Sequence, residues 1–262
     1  PKIKIIAPWR EWAFNSRKDL VRYARLNKIA IDFDLGKKSP YSMDANILHT
    51  SYEGGILEDP WKSPEESMWL RTKSIEKSAN KADILELEFK NGDIVKINKK
   101  ILSPCKVLGK LNQLAGKHGI GRIDIVENRY VGIKSRGCYE TPGGTIYHKA
   151  HKAMESITMD RELLHLKEDL ANRYTRLIYN GYWFSPERES LQKLINDSQK
   201  RVTGTVKIKI LKGNVMVLGR KSPYSLYSED LSTFETDSGD YDQRDAEGFI
   251  KVNSLRLRNK QK

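Results

Sequence analysis

The stretch ILELEFKNGDIVKI, residues 84–97, determines the fold class that this sequence predicts. Apolar and polar residues alternate over 84–89 and again over 93–97, as they do in strands with one buried face. Asn91-Gly92 lies between the two runs, and this dipeptide favours the tight turn of a two-residue hairpin. We therefore predict two antiparallel strands here.

Further strands are predicted on both sides of this hairpin. A second hairpin is expected over 205–211 and 214–218, around Lys212-Gly213. Two more strand-like runs occupy 123–127 and 130–133. The hairpins favour an antiparallel sheet, because antiparallel strands can be joined by a two-residue turn.

Long helices are predicted between these strands. One begins at Ser103-Pro104 and runs to about residue 114, a second covers about 144–170, and a third runs from Pro186 to about 201. Strands and helices do not alternate strictly. We therefore predict an α+β fold in which long helices accompany an antiparallel sheet.

The beginning of the chain has a different pattern. Residues 3–8 are typical of a short buried strand, and residues 17–27 are typical of an amphipathic helix. One strand followed by one helix is typical of an α/β unit. We expect this segment to be the end of a larger layered domain, and the chain to begin within a longer protein.

Composition excludes several classes of protein. The chain has 262 residues, of which 38% are hydrophobic and 31% charged, as in globular domains. It contains no run of about 18 or more apolar residues, so we predict no membrane span. Cys105 and Cys138 are too few for a disulfide scaffold and form no C-x-x-C pair, as expected of a cytoplasmic protein.

The formal net charge of +13 raises the alternative of a non-catalytic basic fragment that forms oligomers or binds nucleic acid. We disfavour it, because Lys and Arg are scattered and cluster only in the tail, residues 256–262. No recognition motif for DNA or RNA occurs. A positive excess also suits ligands that carry phosphates or carboxylates.

Four segments are more polar than a scaffold requires, namely residues 40–55, 116–129, 134–145 and 217–227. The first holds Ser42 and Ser51, either as ligand-binding hydroxyls or as turn residues. In the second, Glu127 at a strand end either accepts an N–H from a ligand or faces solvent. The third places Tyr139 before a helix, and the fourth is either an interface loop or the wall of a cleft. His148 and His151 lack a third ligand at a diagnostic spacing, so no metal site is predicted.

Taken together, these segments resemble the argininosuccinate synthase family. The matching stretches run in family order along nearly the whole chain: IIAPWR (5–10), PYSMD (40–44), SYEGGILE (51–58), GKHGIGRIDIVENR (116–129), KSRGCYETPGGT (134–145), TMDRE (158–162), FSPE (184–187), RVTG (201–204), GRKSPYSLY (219–227) and DAEGFIKVNSLRL (245–257).

The resemblance implies an AMP-forming ligase of arginine biosynthesis. ATP would adenylate L-citrulline, and L-aspartate would then attack the citrullyl-adenylate. The resemblance further implies that Ser42, Ser51, Glu127 and Tyr139 bind citrulline, with no catalytic residue assigned. It implies ATP with Mg²⁺ as a substrate complex, no prosthetic group, a cytoplasmic homotetramer, and no nucleic-acid or membrane partner.

It also implies a domain division. Residues 1–34 would end a nucleotide-binding α/β domain, 35–245 would form the citrulline-binding and multimerisation domain, and 246–262 a C-terminal arm. The family's S-G-G-x-D-[ST] loop, which grips pyrophosphate, does not occur in this sequence. ATP-binding and aspartate-binding residues therefore stay unassigned, and we expect this chain to be inactive by itself.

Overall fold

The computed structural model describes residues 2–30, 41–232 and 242–258. The chain divides into two compact units. The first comprises the described residues up to Leu70 together with Arg122–Glu140, and the second comprises Arg71–Gly121 together with the described residues from Thr141 onward. Each unit is thus built from two separate segments of sequence. The boundary predicted between residues 34 and 35 lies outside the described residues.

The first unit contains helix α1 (Arg17–Leu26) and a four-stranded antiparallel sheet. In spatial order its strands are β1 (Ser42–Ala45), β2 (Thr50–Glu53), β7 (Lys134–Glu140) and β6 (Arg122–Asn128). One face of the sheet packs on a small core formed by Tyr41, Tyr52, Leu57, Met68 and Cys138. The other face is the one on which polar residues of all four strands collect.

The second unit contains a five-stranded antiparallel sheet. In spatial order its strands are β5 (Lys100–Ile101), β4 (Asp93–Ile97), β3 (Asp83–Lys90), β8 (Gly204–Leu211) and β9 (Asn214–Lys221). Its helices are α2 (Pro104–Lys117), α3 (Pro142–Thr158), α4 (Arg161–Tyr179), α5 (Pro186–Ser198), α6 (Glu229–Ser232), α7 (Asp245–Asn253) and α8 (Leu255–Arg258). The mixture of helices with antiparallel sheets confirms the predicted α+β class.

The main core lies in this second unit. Leu85, Leu87 and Phe89 alternate along β3 and are buried, and they pack with residues of α2 and α3 such as Leu111 and Ile146. Both predicted hairpins are present. Asn91 and Gly92 have φ of 50° and 87°, and Lys212 and Gly213 have φ of 42° and 78°, as the type I′ turn requires.

Residues 3–8 do not form the predicted strand. The described residues before Pro8 pair with no strand, and Pro8–Arg10 is a single turn of 3₁₀ helix. Ile3 and Ile5 are 86% and 84% exposed. An apolar run becomes a strand only where a neighbouring strand takes up its N–H and C=O groups, and none of the described strands does so here.

Residues 36–64 are rich in Gly, Ser, Pro, Asp and Asn, a composition that predicts a loop, but their described part contains the strands β1 and β2. They are joined by a tight turn in which the side chain of Asn46 accepts hydrogen bonds from the amides of Leu48 and His49, at 2.8 and 3.1 Å. The sequence of these strands contains short polar residues in place of the usual apolar alternation, because one face of the sheet is not covered by an apolar core.

The predicted strand over residues 130–133 is instead the turn between β6 and β7. Gly132 has φ of 87°, and its amide donates to the carbonyl of Arg129 at 2.9 Å. Val131 at the tip is 77% exposed. The strand forms in the polar residues that follow, Lys134–Glu140, for which no strand was predicted.

The single helix predicted over 144–170 is two helices, α3 and α4. Met159 is extended, with φ −101° and ψ 138°, and Asp160 caps the second helix. The Asp160 carboxylate accepts from the amide of Glu162 at 2.9 Å. A side-chain cap of this kind starts a new helix because it satisfies amides that a continuous helix would bond internally.

No helix within the described ranges is both long enough and apolar enough to cross a bilayer.

Candidate functional site

The four residues expected to bind the ligand lie on four different strands, and all four point to one face of the sheet in the first unit. Ser42 is on β1, Ser51 on β2, Tyr139 on β7 and Glu127 on β6. The register pairs Asp44 with Ser51, Ser51 with Tyr139, and Tyr139 with Ile123. Because side chains alternate along a strand, residues 42, 51, 127 and 139 share a face through these pairs.

Glu127 and Tyr139 are in direct contact. The Tyr139 hydroxyl donates to Glu127 Oε1 at 3.1 Å, although the two residues are not directly opposite each other in the β6–β7 ladder. The ring reaches that far because it leans along its strand over Gly137. Burial raises the pKa of Tyr139 to about 12, and the nearby negative charge of Glu127 adds to the effect. The phenol therefore stays protonated and remains a donor at neutral pH.

The two serines lie nearer the opposite edge of the sheet. Ser51 is 9% exposed, and its hydroxyl donates to the carbonyl of Asp44 at 3.4 Å. This bond is long, so the hydroxyl can turn to a ligand. Ser42 is exposed and pairs across the strands with Glu53. The His49 ring lies 6.1 Å from the Tyr139 ring.

Arg129 was missed by sequence reasoning and lies within this constellation. Its Nη2 donates to Glu53 Oε2 at 2.7 Å and to Ser135 Oγ at 3.1 Å, and it is 3.8 Å from Glu127 Oε1. The guanidinium thereby links β2, β6 and β7. The alternation that places Glu127 on this face also places residue 129 there, two positions on, and this signal could have identified it.

The reverse face of the sheet carries the contacts that hold it in shape. The Tyr52 hydroxyl donates to Glu140 Oε2 at 2.5 Å, and the amide of Leu70 donates to the same oxygen at 2.9 Å. Tyr52 and Glu140 are both fully buried. These bonds join β2, β7 and the end of the 54–70 segment.

Two arginines fix the same segment. Arg136 makes a two-pronged bond to Asp124, at 2.9 and 2.6 Å, and donates to the carbonyls of Asp59 and Lys62 at 2.9 and 2.8 Å. The Arg136 guanidinium holds the pKa of Asp124 below its ordinary value. Arg122 bonds Glu66 through two contacts of 2.7 Å. The strands that carry the candidate site are therefore held in place by these side-chain hydrogen bonds and ion pairs.

The remaining polar segments serve the scaffold of the second unit. At the start of α3, the amide of Gly143 is taken up by the Asn112 side chain at 2.8 Å, so this helix terminus is capped within the protein. After β9, Ser222 donates to the carbonyl of Thr203 at 2.5 Å, and the amide of Leu226 donates to the carbonyl of Ile157 at 2.7 Å. Whether residues 217–227 form an interface or a cleft wall stays a prediction.

The histidine pair is occupied by structural contacts. His151 Nε2 lies 2.8 Å from Gln199 Oε1, and burial lowers the pKa of His148. Within residues 2–30, 41–232 and 242–258, no three His, Cys, Asp or Glu side chains converge in a way that could hold a metal ion. Cys105 and Cys138 are both free thiols.

Comparison with known proteins identifies the family. Residues 41–260 match the family model described as "Arginosuccinate synthase C-terminal domain". The chain is 62% identical over 258 residues to the argininosuccinate synthase of a Psychrobacter species, covering 98% of this chain and 63% of that protein.

Two further relatives give the same result. The argininosuccinate synthase of Nitrosococcus oceani is 62% identical over 259 residues, covering 98% of this chain and 64% of that protein. That of a Nitratiruptor species is 60% identical over 257 residues, with coverage of 98% and 63%. The chain thus spans less than two thirds of the length of these relatives. It belongs to the argininosuccinate synthase family, and its residues 41–260 match the family's C-terminal domain.

Proposed function

We propose that this chain is the citrulline-binding and oligomerisation part of an argininosuccinate synthase, the enzyme that joins L-citrulline to L-aspartate in arginine biosynthesis. The observation that carries the proposal is the shared face of Ser42, Ser51, Glu127 and Tyr139. Four residues separated by up to 97 positions in sequence collect on one side of one braced sheet.

The chemistry of this face suits citrulline. The ligand has a neutral ureido group at one end and a zwitterionic amino acid at the other. Hydroxyls can both donate to and accept from such a ligand, and the Glu127 carboxylate can accept an N–H. The protonated Tyr139 phenol holds Glu127 in place. Exposed Ile123 and Ile125 on the same face, each 43% exposed, offer apolar surface to the methylene chain.

In the proposed reaction, the ureido oxygen of citrulline attacks the α-phosphorus of ATP and pyrophosphate leaves. The α-amine of aspartate then attacks the ureido carbon of the citrullyl-adenylate, and AMP leaves as argininosuccinate forms. ATP enters as its Mg²⁺ complex, which is a substrate. The contribution of this chain is to hold citrulline aligned for both steps, because alignment of bound reactants supplies much of such catalysis.

The same proposal includes the domain organisation, the oligomeric state and the cellular location of the protein. Residues 1–34 end a nucleotide-binding domain, 35–245 form the synthetase domain, and 246–262 form an arm in a cytoplasmic homotetramer. The exposed apolar side chains of α7 and α8 support an arm that packs on another subunit. They are Phe249, Ile250, Val252, Leu255 and Leu257, each more than half exposed.

The test uses a chimera in which this chain replaces the matching segment of the Psychrobacter synthase. We expect the chimera to make argininosuccinate. Glu127→Gln should then raise the KM for citrulline tenfold or more, because losing a charge-assisted hydrogen bond to a ligand costs about 1.5–3 kcal/mol. The KM for ATP should change much less.

Glu86→Gln is the matched control, because Glu86 lies on the second sheet in a partly exposed ion pair with Lys207 at 3.5 Å. It should leave both constants unchanged. A folded but inactive chimera, or a Glu127→Gln variant with an unchanged KM for citrulline, contradicts the proposal.

A further inference from the structure

Arg129, which directly follows β6, places a cation on the proposed citrulline face. The acids on that face are Asp44, Glu53 and Glu127, and His49 immediately precedes β2. Among the described residues of β1, β2, β6 and β7 and the residue that follows β6, the guanidinium supplies the only Lys or Arg charge on this side of the sheet.

The guanidinium lies between two of these carboxylates. It is 2.7 Å from Glu53 and 3.8 Å from Glu127. Glu127 has 14% of its side chain exposed, while Arg129 and Glu53 have 35% and 37%. Charges in such partly buried positions interact more strongly than charges in water. The net charge of these three groups therefore affects the binding of a charged ligand on the face.

We propose that Arg129 is a specificity-determining residue, an inference that rests on the proposed function. Its positive charge offsets one of the two carboxylates, Glu53 and Glu127, so that the face favours a ligand of zero net charge. Glu53, Arg129 and Glu127 together carry a net charge of −1. Without Arg129 the same groups carry −2, and a ligand with a cationic side chain gains relative to one with a neutral side chain, the more so the nearer that side chain lies to these groups.

The relevant competitor is L-arginine. Its side chain has nearly the shape of the citrulline side chain, with a cationic guanidinium in place of the neutral ureido group. Shape therefore discriminates poorly between the two, and charge is the remaining difference. Rejecting arginine also matters chemically, because its guanidinium carbon offers no oxygen for adenylation.

Arg129 also positions its neighbours. A single Nη2 donates to both Glu53 and Ser135, which fixes the guanidinium against two strands. The planar fork of arginine allows this geometry, whereas a lysine ammonium is a compact point charge. Arg129→Lys should therefore weaken the binding of both ligands while keeping their ratio.

The experiment measures, in the active chimera, the KM for citrulline and the Ki for L-arginine as a competitive inhibitor. For Arg129→Gln we expect the ratio of Ki for arginine to KM for citrulline to fall about tenfold, equivalent to about 1.4 kcal/mol. For Glu53→Gln combined with Arg129→Gln we expect the ratio to return towards its original value, because residues 53, 129 and 127 together again carry a net charge of −1.

Arg173→Gln serves as the control, since Arg173 forms an exposed ion pair with Glu187 on helices of the second unit. It should leave the ratio unchanged. Equal weakening of both ligands in Arg129→Gln, or no recovery in the double variant, means a structural role only and overturns the inference.

Glu127→Gln separates the two proposals. If it leaves the KM for citrulline unchanged, the proposed function fails. If it raises that KM while Arg129→Gln leaves the ratio unchanged, only the inference about Arg129 fails.

Discussion

The ring of Tyr139 lies so close over Gly137 that a Cβ on residue 137 would be 2.6 Å from the phenolic oxygen and 2.8 Å from a ring carbon. Two residues apart on one strand, they face the same way, and the absent side chain of one makes room for the other. The phenol reaches Glu127 because this space is empty. The requirement for glycine is therefore steric and belongs to the site.

We predict that Gly137→Ala displaces the Tyr139 ring and breaks its bond to Glu127. The ring can move because it is partly exposed, so the fold should survive. Losing an ordered ring and one hydrogen bond should raise the KM for citrulline roughly tenfold, since a hydrogen bond to a charged group contributes about 1.5–3 kcal/mol. Steady-state kinetics of the chimera, with thermal unfolding alongside, measure both effects.

Gly219→Ala is the matched control. Gly219 is also a strand glycine, on β9, but a Cβ there would meet nothing within 4 Å. It should change neither the KM nor the melting temperature appreciably. An unchanged KM for citrulline in Gly137→Ala would show that the ring position is irrelevant to binding.

Sequence patterns predicted the two hairpins of the second unit well because their strands have one buried face. Leu85, Leu87 and Phe89 alternate with charged residues, and Asn91-Gly92 allows one turn type. In these hairpins the local sequence pattern and the packing in the core favour the same structure, so the sequence alone was sufficient for the prediction.

The sheet of the first unit could not be predicted in the same way. Its β7 strand, Lys134–Glu140, has the composition of a turn, because alternate residues face the proposed ligand instead of an apolar core. The resemblance named the four site residues, yet only the register of the strands places them on one face. Arg129 was not predicted as a site residue because its contact with Glu53, 76 residues away in sequence, cannot be read from a local pattern.

A second prediction concerns the two thiols. Burial raises the pKa of Cys138 to about 11, whereas Cys105 is exposed at the start of α2. A raised pKa means that less thiolate is present at a given pH, and the thiolate is the reactive form. At a mildly alkaline pH of about 8, a disulfide reagent such as DTNB should therefore label one thiol rapidly and the second only on unfolding.

Cys105→Ser identifies the fast thiol. This variant should lose the rapid phase and keep the slow one, and denaturant should restore labelling of Cys138. Rapid labelling of the Cys105→Ser variant under native conditions would mean that Cys138 is not shielded in the core beside Tyr52.

The third prediction concerns the buried acid of the second unit. Glu155 is 1% exposed, and its Oε1 accepts from Lys167 at 2.8 Å and from Gln199 at 3.0 Å. Lys167→Met removes the compensating charge and leaves the carboxylate buried. Removing one partner of a buried ion pair typically costs about 3–5 kcal/mol, and the 20% exposure of Lys167 places this pair at the lower end.

The free energy of unfolding in urea measures the effect, and two further variants separate charge from packing. Combining Lys167→Met with Glu155→Gln should recover most of the loss, because a neutral amide keeps the bond to Gln199 without an unpaired charge. Lys152→Met is the surface control: its ion pair with Glu168, at 3.5 Å, has both side chains more than half exposed and should contribute at most about 0.5 kcal/mol. If Lys167→Met proved as mild as Lys152→Met, the Glu155 carboxylate would have to be solvated, protonated or compensated by His151, whose Nδ1 lies 3.6 Å from the same oxygen. The ion pair with Lys167 would then not hold α3 and α4 together.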